Sequence, residues 1–256
     1  MLKTLGIVQA CFEQESVRGK VARRLHGKTV LEWVVRRVTD CTRLDGVIVL
    51  TNDAPENAMV RDAVPLDVPV VVGTQADALG RFVAALERYP AESAVRIRAE
   101  SPFVDPGLID RLITTAEAHP DFDYIGYRLQ DGRPAILSPV GVYAEWFRSV
   151  ALRRSARKAT SPDDRREVTR YIYSHPEKFK LRLIPAPLQI DRDDVRLTVD
   201  VQEDWEHALA ILDALGSDEF DWQRIAGLLD HQPNLRRRMA DLNRASAARC
   251  AARGQG

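Results

Sequence analysis

Five short apolar runs recur over the first 128 residues, at 4–11, 46–51, 68–73, 93–99 and 122–127. The second, GVIVLT, is apolar almost throughout, which suits a parallel strand buried on both faces. Between the runs the apolar spacing changes to that of a helix. Val30, Leu31, Val34, Val35 and Val38 share one face of a predicted helix over 28–41. A short helix is expected over 56–64. Leu79, Phe82, Val83 and Leu86 mark another over 77–89, and Pro106 opens one that turns Ile109, Leu112 and Ile113 inward. Strand–helix alternation of this kind predicts a mainly parallel sheet with helical crossovers.

After residue 128 the rhythm changes. Asp131-Gly132-Arg133-Pro134 reads as a turn. Residues 143–156 and 162–173 carry helical spacing. Residues 179–184 and 195–199 read as strands without an intervening helix, which suggests an antiparallel addition to the sheet. Helices are expected over 204–215, 220–229 and 233–248. The simplest organisation is one mixed α/β domain over residues 1–216 with a helical extension over 217–256.

The first strand leads into a polar loop, QACFEQESVRGK, at 9–20. Ligands of open α/β sheets bind beyond the carboxyl ends of strands. A loop there closing on Gly19-Lys20 points to an anion held by backbone N–H groups and an ammonium. It is not a P-loop, because the spaced glycines and the Ser/Thr after the lysine are missing. Two carboxylates follow apolar runs in the same manner: Glu100 in VRIRAESPFVDP and Asp200 in LTVDVQED. Each alone is also explained as a helix cap. Together at one crevice they suit Mg²⁺, which takes one or two carboxylates and completes its shell with water and phosphate oxygens.

Composition narrows the rest. Lys+Arg and Asp+Glu are both 37, so a general nucleic-acid surface is not expected. No run approaches the ~20 apolar residues of a membrane span. The N-terminal apolar run is too short for a signal peptide, so a cytoplasmic protein is expected. Cys11, Cys41 and Cys250 lack metal-like spacing and read as reduced thiols. The five histidines are scattered, and no Gly-x-Ser-x-Gly elbow is present. Eight Arg/Lys stand against three acids in residues 148–170, read as a solvated helix face. The four tryptophans read as core or dimer contacts.

The ordered set of motifs resembles the cytidylyltransferase family of acylneuraminate and 3-deoxy-manno-octulosonate cytidylyltransferases, and its spore-coat polysaccharide branch most. It comprises IVQA at 7–10, Gly19-Lys20, Gly27-Lys28 with Leu31-Glu32, Val70–Gly73 with Asp77, Leu79 and Arg81, and VRIRAESPFVDP. It continues in Arg166-Glu167-Val168-Thr169, Tyr171-Ile172-Tyr173, RLTVD at 196–200 and Glu203-Asp204. The resemblance covers about residues 3–245. It implies a GT-A-like, Rossmann-related nucleotide-diphospho-sugar transferase fold with a mixed, mainly parallel sheet. The implied activity is transfer of CMP from CTP to an acidic sugar with release of pyrophosphate. Ile7, Val8, Gln9 and Ala10 would lie beside the base. Arg18, Gly19, Asp77 and Arg81 would complete the nucleotide site. Lys20 would meet the triphosphate, and Glu100 and Asp200 would bind Mg²⁺. Arg166, Glu167 and Thr169 would lie toward the acceptor or a subunit contact. Members commonly form homodimers through the segment after the fifth strand, where Tyr143, Trp146 and Phe147 stand here.

The chain departs from the family pattern in its first loop, which in the family reads close to QARMGSTRLPGK. Cys11 and Ser16 replace two arginines, Arg18 replaces a proline, and Glu13 and Glu15 are added. Each added carboxylate within ~6 Å of phosphates would cost on the order of 1 kcal/mol or more. Glu100 stands where the family has Asp, and residues 136–140 (ILSPV) lack the acidic acceptor-side motif. Two alternatives follow: a non-catalytic relative binding a nucleotide, sugar or protein, and a GT-A-like glycosyltransferase.

Overall fold

The computed structural model describes residues 1–12, 23–74, 77–216 and 220–253, with side chains described through residue 249. Seven strands form the central sheet: β1 (Leu2–Gln9), β4 (Gly46–Asn52), β5 (Val70–Gly73), β6 (Ala91–Arg98), β7 (Tyr124–Arg128), β8 (Glu145–Arg148) and β9 (Leu181–Pro185). Two-residue strands β2 (Arg24–Leu25) and β3 (Lys28–Thr29) make a separate hairpin. The sheet order is β5-β4-β1-β6-β8-β7-β9. All pairings are parallel except those of β8, which runs antiparallel between β6 and β7.

Alternation along each strand sends side chains into two cores. Leu5 and Ile7 of β1, with Ile48, Leu50, Val71, Tyr124 and Phe147, pack under Ala78–Arg88, Ser149–Lys158 and Arg170–Tyr173. Val8, Val49, Val95, Ile97, Ile125 and Trp146 face Val30–Thr39, Pro106–Ala118 and Gln202–Leu215. The helices begin where short polar side chains take up the unpaired N–H groups of a first turn. Thr29 accepts from the Glu32 N–H (3.0 Å), Asp77 from Gly80 (2.9 Å) and Asp105 from Leu108 (2.9 Å).

Three expectations need correction. Residues 143–156 are not one helix: Glu145–Arg148 is β8, and only Ser149–Lys158 is helical. Tyr143, Trp146 and Phe147 are therefore buried in the core rather than arrayed on an exposed helix, which removes the aromatic dimer surface read from the sequence. Residues 195–199 are not a strand. Their N–H groups leave the ladder pattern: Leu197 and Thr198 both donate to the Pro139 carbonyl (2.8 and 3.1 Å), and Val199 donates to that of Glu100 (2.7 Å). Gly141, at φ +71°, permits this close pass, since a Cβ there would stand 2.9 Å from the Thr198 nitrogen. The added strand that does form, β9, is parallel to β7 rather than antiparallel.

The helices Trp222–Asp230 and Pro233–Arg253 share the core of the sheet domain through Phe220, Ile225, Leu229, Leu235 and Met239. Phe220 packs against Phe103 (5.5 Å between centroids) and Trp33 (6.0 Å), and the buried Arg37 guanidinium lies 4.3 Å above its ring. Arg37 also donates to the carbonyls of Val104 (2.6 Å) and Phe220 (3.2 Å).

Candidate active site

The carboxyl ends of β1, β4 and β6 meet along one edge of the sheet. Ile7 and Val8 are fully buried, with their backbones inside the ladders to β4 and β6, so only Gln9 and Ala10 of the predicted base-side residues reach that edge. The Ala10 N–H donates to the Leu50 carbonyl (2.8 Å). Phe12 closes the described part of the segment. The buried Asn57 grips its backbone, accepting from its N–H (2.8 Å) and donating to its carbonyl (3.2 Å). Asn57 also donates to Asn52 Oδ1 (2.6 Å) at the end of β4. The loop after β4 thus fixes the start of the loop after β1. Glu13, Glu15, Ser16, Arg18, Gly19 and Lys20 lie outside the described residues.

Glu100 and Asp200 come together at this edge, joined by the Val199–Glu100 backbone hydrogen bond (2.7 Å). Burial raises the Asp200 pKa above the ordinary carboxylate value, and the neighbouring charge of Glu100 raises it further. Thr198 donates to Asp200 Oδ2 (2.7 Å) and Arg196 approaches the same oxygen (3.2 Å). Arg98 pairs with Glu100 and also donates to the Ile136 carbonyl (3.2 Å), so the acid-free ILSPV segment contacts the site through its backbone. Among the described residues no group of three or more His, Cys, Asp or Glu is placed to hold a metal; the candidate set is this pair.

Asp204 supports the pair from beneath. Arg196 forks onto it, Nε to Oδ1 at 2.7 Å and Nη2 to Oδ2 at 2.9 Å, both side chains being buried. Asp204 Oδ2 further accepts from the N–H groups of Asp200 and Val201 (3.0 Å each). The backbone carrying Asp200 is thereby held by a charge-assisted fork.

Asp77 caps the helix Ala78–Arg88 and pairs with Arg165. Arg81 is buried behind Gly73 and donates to the Thr74 carbonyl (2.8 Å). Arg166 is exposed. Glu167 and Thr169 turn toward the sheet, where they meet two charged residues the sequence reading missed, Arg96 and Glu145. Arg96 sits on β6 opposite Glu145 on β8, and both are buried. Arg96 Nη1 donates to Glu145 Oε1 (2.8 Å) and to Glu167, while its Nε donates to Gln9 Oε1 (2.7 Å). Glu145 also takes the O–H of Tyr124 (2.7 Å) and of Thr169 (2.9 Å). Burial opposes the Arg96 charge, but Glu167 and Glu145 outweigh it and raise its pKa. A charged residue inside VRIRA was a visible signal, since an arginine in a doubly buried strand needs a buried partner.

Residues 5–226 match the profile of the cytidylyltransferase family. The chain belongs to the cytidylyltransferase family. Among curated relatives it is 30% identical over 236 residues to the uncharacterized protein MJ1063 of Methanocaldococcus jannaschii, covering 92% of this chain and 93% of that one. It is 27% identical over 241 residues to the spore coat polysaccharide biosynthesis protein SpsF of Bacillus subtilis, covering 90% and 95%. Among solved structures, a cytidylyltransferase from Leptospira borgpetersenii superimposes with a TM-score of 0.77 at 20% identity, covering 92% and 97%. A second, the manganese complex of Rv0371C from Mycobacterium tuberculosis, gives 0.57 at 21% identity, covering 81% and 98%. The fold of this cytidylyltransferase-family chain is accordingly a Rossmann-like nucleotidyltransferase sandwich with a central, mostly parallel sheet.

Proposed function

We propose that this chain transfers CMP from CTP to an acidic sugar in the making of a surface polysaccharide, releasing pyrophosphate. The observation that carries the reading is the adjacency of Glu100 and Asp200 at the carboxyl edge of β1 and β6. Their oxygens are the hard donors that Mg²⁺ or Mn²⁺ prefers, and a cation would relieve the like charge that raises the Asp200 pKa. Manganese in the Rv0371C neighbour supports divalent metal use. When bound, the ion would offset charge on the phosphates.

The chain's own residues then divide the work. Gln9 and Ala10 would meet the nucleotide, with Asp77 and Arg81 holding the wall behind it. Arg18, Gly19 and Lys20 would face the triphosphate. Arg166, Glu167 and Thr169 would order the acceptor side, so that the acceptor oxygen attacks the α-phosphorus in line and pyrophosphate departs. The catalytic unit would span residues 1–216, with 217–256 as an extension. The protein would act in the cytoplasm, as a homodimer of the isologous kind common among soluble oligomers. Among the described residues no helix is long and apolar enough to cross a membrane.

Thermal-shift titration with a panel of nucleotides, with and without Mg²⁺ or Mn²⁺, tests the reading. A ligand of the folded state raises apparent stability by mass action. CTP should give the largest metal-dependent shift, Glu100→Ala should abolish the metal dependence, and acidic sugars should then elicit pyrophosphate release. No shift with any nucleotide would defeat it. One observation favours a second reading, a family member that binds nucleotide without turnover: the Arg98 guanidinium already pairs with Glu100, one of the two carboxylates that would hold a cation. Metal-independent CTP binding without pyrophosphate release would select it.

A further inference from the structure

One guanidinium serves both sides of the proposed crevice. Arg96 is the register partner of Ile7 on β1 and of Glu145 on β8, and is buried between them. Its Nε donates to Gln9 Oε1 (2.7 Å), and its Nη1 donates to Glu145 Oε1 (2.8 Å) and to Glu167.

The chemistry of the donors sets the orientation of Gln9. A guanidinium can only donate, so the Gln9 amide must turn its oxygen toward Arg96. The amide NH₂ is then the group left to meet a ligand, and its match is an acceptor such as a ring carbonyl, ring nitrogen or phosphate oxygen. Glu167 comes from a different part of the chain, the turn between Pro162–Arg166 and Arg170–Tyr173. That turn and the helix end before it are pinned by Arg165 on Asp77 and on the Ala156 carbonyl (2.8 Å), by Glu167 on Arg96, and by Thr169 on Glu145 (2.9 Å). Of these anchors, the one at Arg96 also touches β1. A shift of Glu167 must therefore re-aim the guanidinium that holds the Gln9 amide.

We propose that Arg96 is a positioning residue that couples the two substrate sides, locking the Gln9 amide toward the nucleotide and sensing the acceptor-side turn through Glu167. The inference rests on the reading above that Gln9 and Glu167 flank different substrates. Lysine cannot replace Arg96, because an ammonium is a point charge without the planar fork that reaches three partners at once.

The test is a double-mutant cycle on CTP affinity, read by thermal-shift titration to millimolar CTP with Mg²⁺. Gln9→Ala and Glu167→Gln should each weaken binding, and the double variant should fall short of the product of the two effects by ~3-fold or more, as expected for residues sharing one partner. In an Arg96→Lys background the same two substitutions should act independently. If that background does not fold, the cycle in the native background decides. Strict independence there, in a protein that binds CTP, overturns the coupling and leaves the cytidylyltransferase reading intact. Should native affinity lie beyond millimolar, the cycle starts from Cys11→Arg/Glu13→Gly/Ser16→Arg. If that chain also binds no CTP, both fall.

Discussion

Arg96 and Glu145 face each other across the antiparallel β6–β8 pair, joined by a 2.8 Å charge-assisted hydrogen bond inside the sheet. Their partners come from three separate segments: Gln9 of β1, Tyr124 of β7, and Glu167 and Thr169 of the turn before Arg170–Tyr173. The pair is the point at which β8, the antiparallel strand of the described seven-stranded sheet, is tied to the parallel part of that sheet and to the acceptor-side turn.

Replacing Glu145 by Gln should therefore cost stability heavily. The amide cannot accept from Arg96, Tyr124 and Thr169 together, and Arg96 would keep a buried charge opposed only by the more exposed Glu167. Breaking one side of a buried pair costs about 3–5 kcal/mol. Urea unfolding should show a lower midpoint with an unchanged slope. A change below about 1 kcal/mol would mean that the pair is solvated in solution.

Asp204→Asn is expected to affect both fold and site. It removes one half of the fork with Arg196 and weakens the acceptor for the N–H groups of Asp200 and Val201. A loss of about 3 kcal/mol follows from the buried pair. The metal-dependent part of any nucleotide thermal shift should fall as well, because the Asp200 backbone is no longer held. Wild-type metal dependence in a destabilised Asp204→Asn protein would show that Asp204 supports folding alone.

CTP turnover by the native chain should be weak, with the first loop as the cause. Two charge-assisted contacts of ~1.5–3 kcal/mol each are missing where Cys11 and Ser16 replace arginines, and each should weaken binding at least tenfold. CTP affinity and pyrophosphate release in Cys11→Arg/Glu13→Gly/Ser16→Arg, compared with the native chain, check this. Robust native turnover would defeat it, as would a folded triple variant that binds CTP no better.

His207 gives the protein an acid-sensitive position. It is buried on Gln202–Leu215 with no hydrogen-bond partner for Nδ1 among the described residues, and burial, then the charge of Arg238, lower its pKa below the ordinary 6.5. Asp204 and Glu206 oppose that shift. The unfolded chain then takes up the proton more readily than the folded one. Stability is full above the unfolded value and declines as pH falls from 6.5 toward the lowered folded value. His207→Gln should flatten the decline in Tm over this window. An equal decline in the variant would place the acid sensitivity on other groups.

Sequence alone determined the elements whose signals are local. The apolar runs of β1 and β4 and the helix entries at Asp77 and Asp105-Pro106 depend on neighbours a few residues away, so period and capping chemistry suffice to find them. The ordered motifs likewise carried the cytidylyltransferase family. Tertiary structure decided what depends on a distant partner. The spacing of YAEWFRSVALRRSA is helical throughout, yet Glu145–Arg148 within it become β8 because an antiparallel slot between β6 and β7 offers both edges a ladder. Residues 195–199 read as a strand because Val195, Leu197 and Val199 alternate with Arg196 and Thr198, yet Pro139 and Glu100 take their N–H groups out of register. Asn57 on Phe12, Asp204 under Asp200, and Arg96 between Gln9 and Glu167 are pairings between side chains and segments that only packing brings together. A buried charge announces that it needs a partner, but its identity is set by which strands become neighbours and in what register.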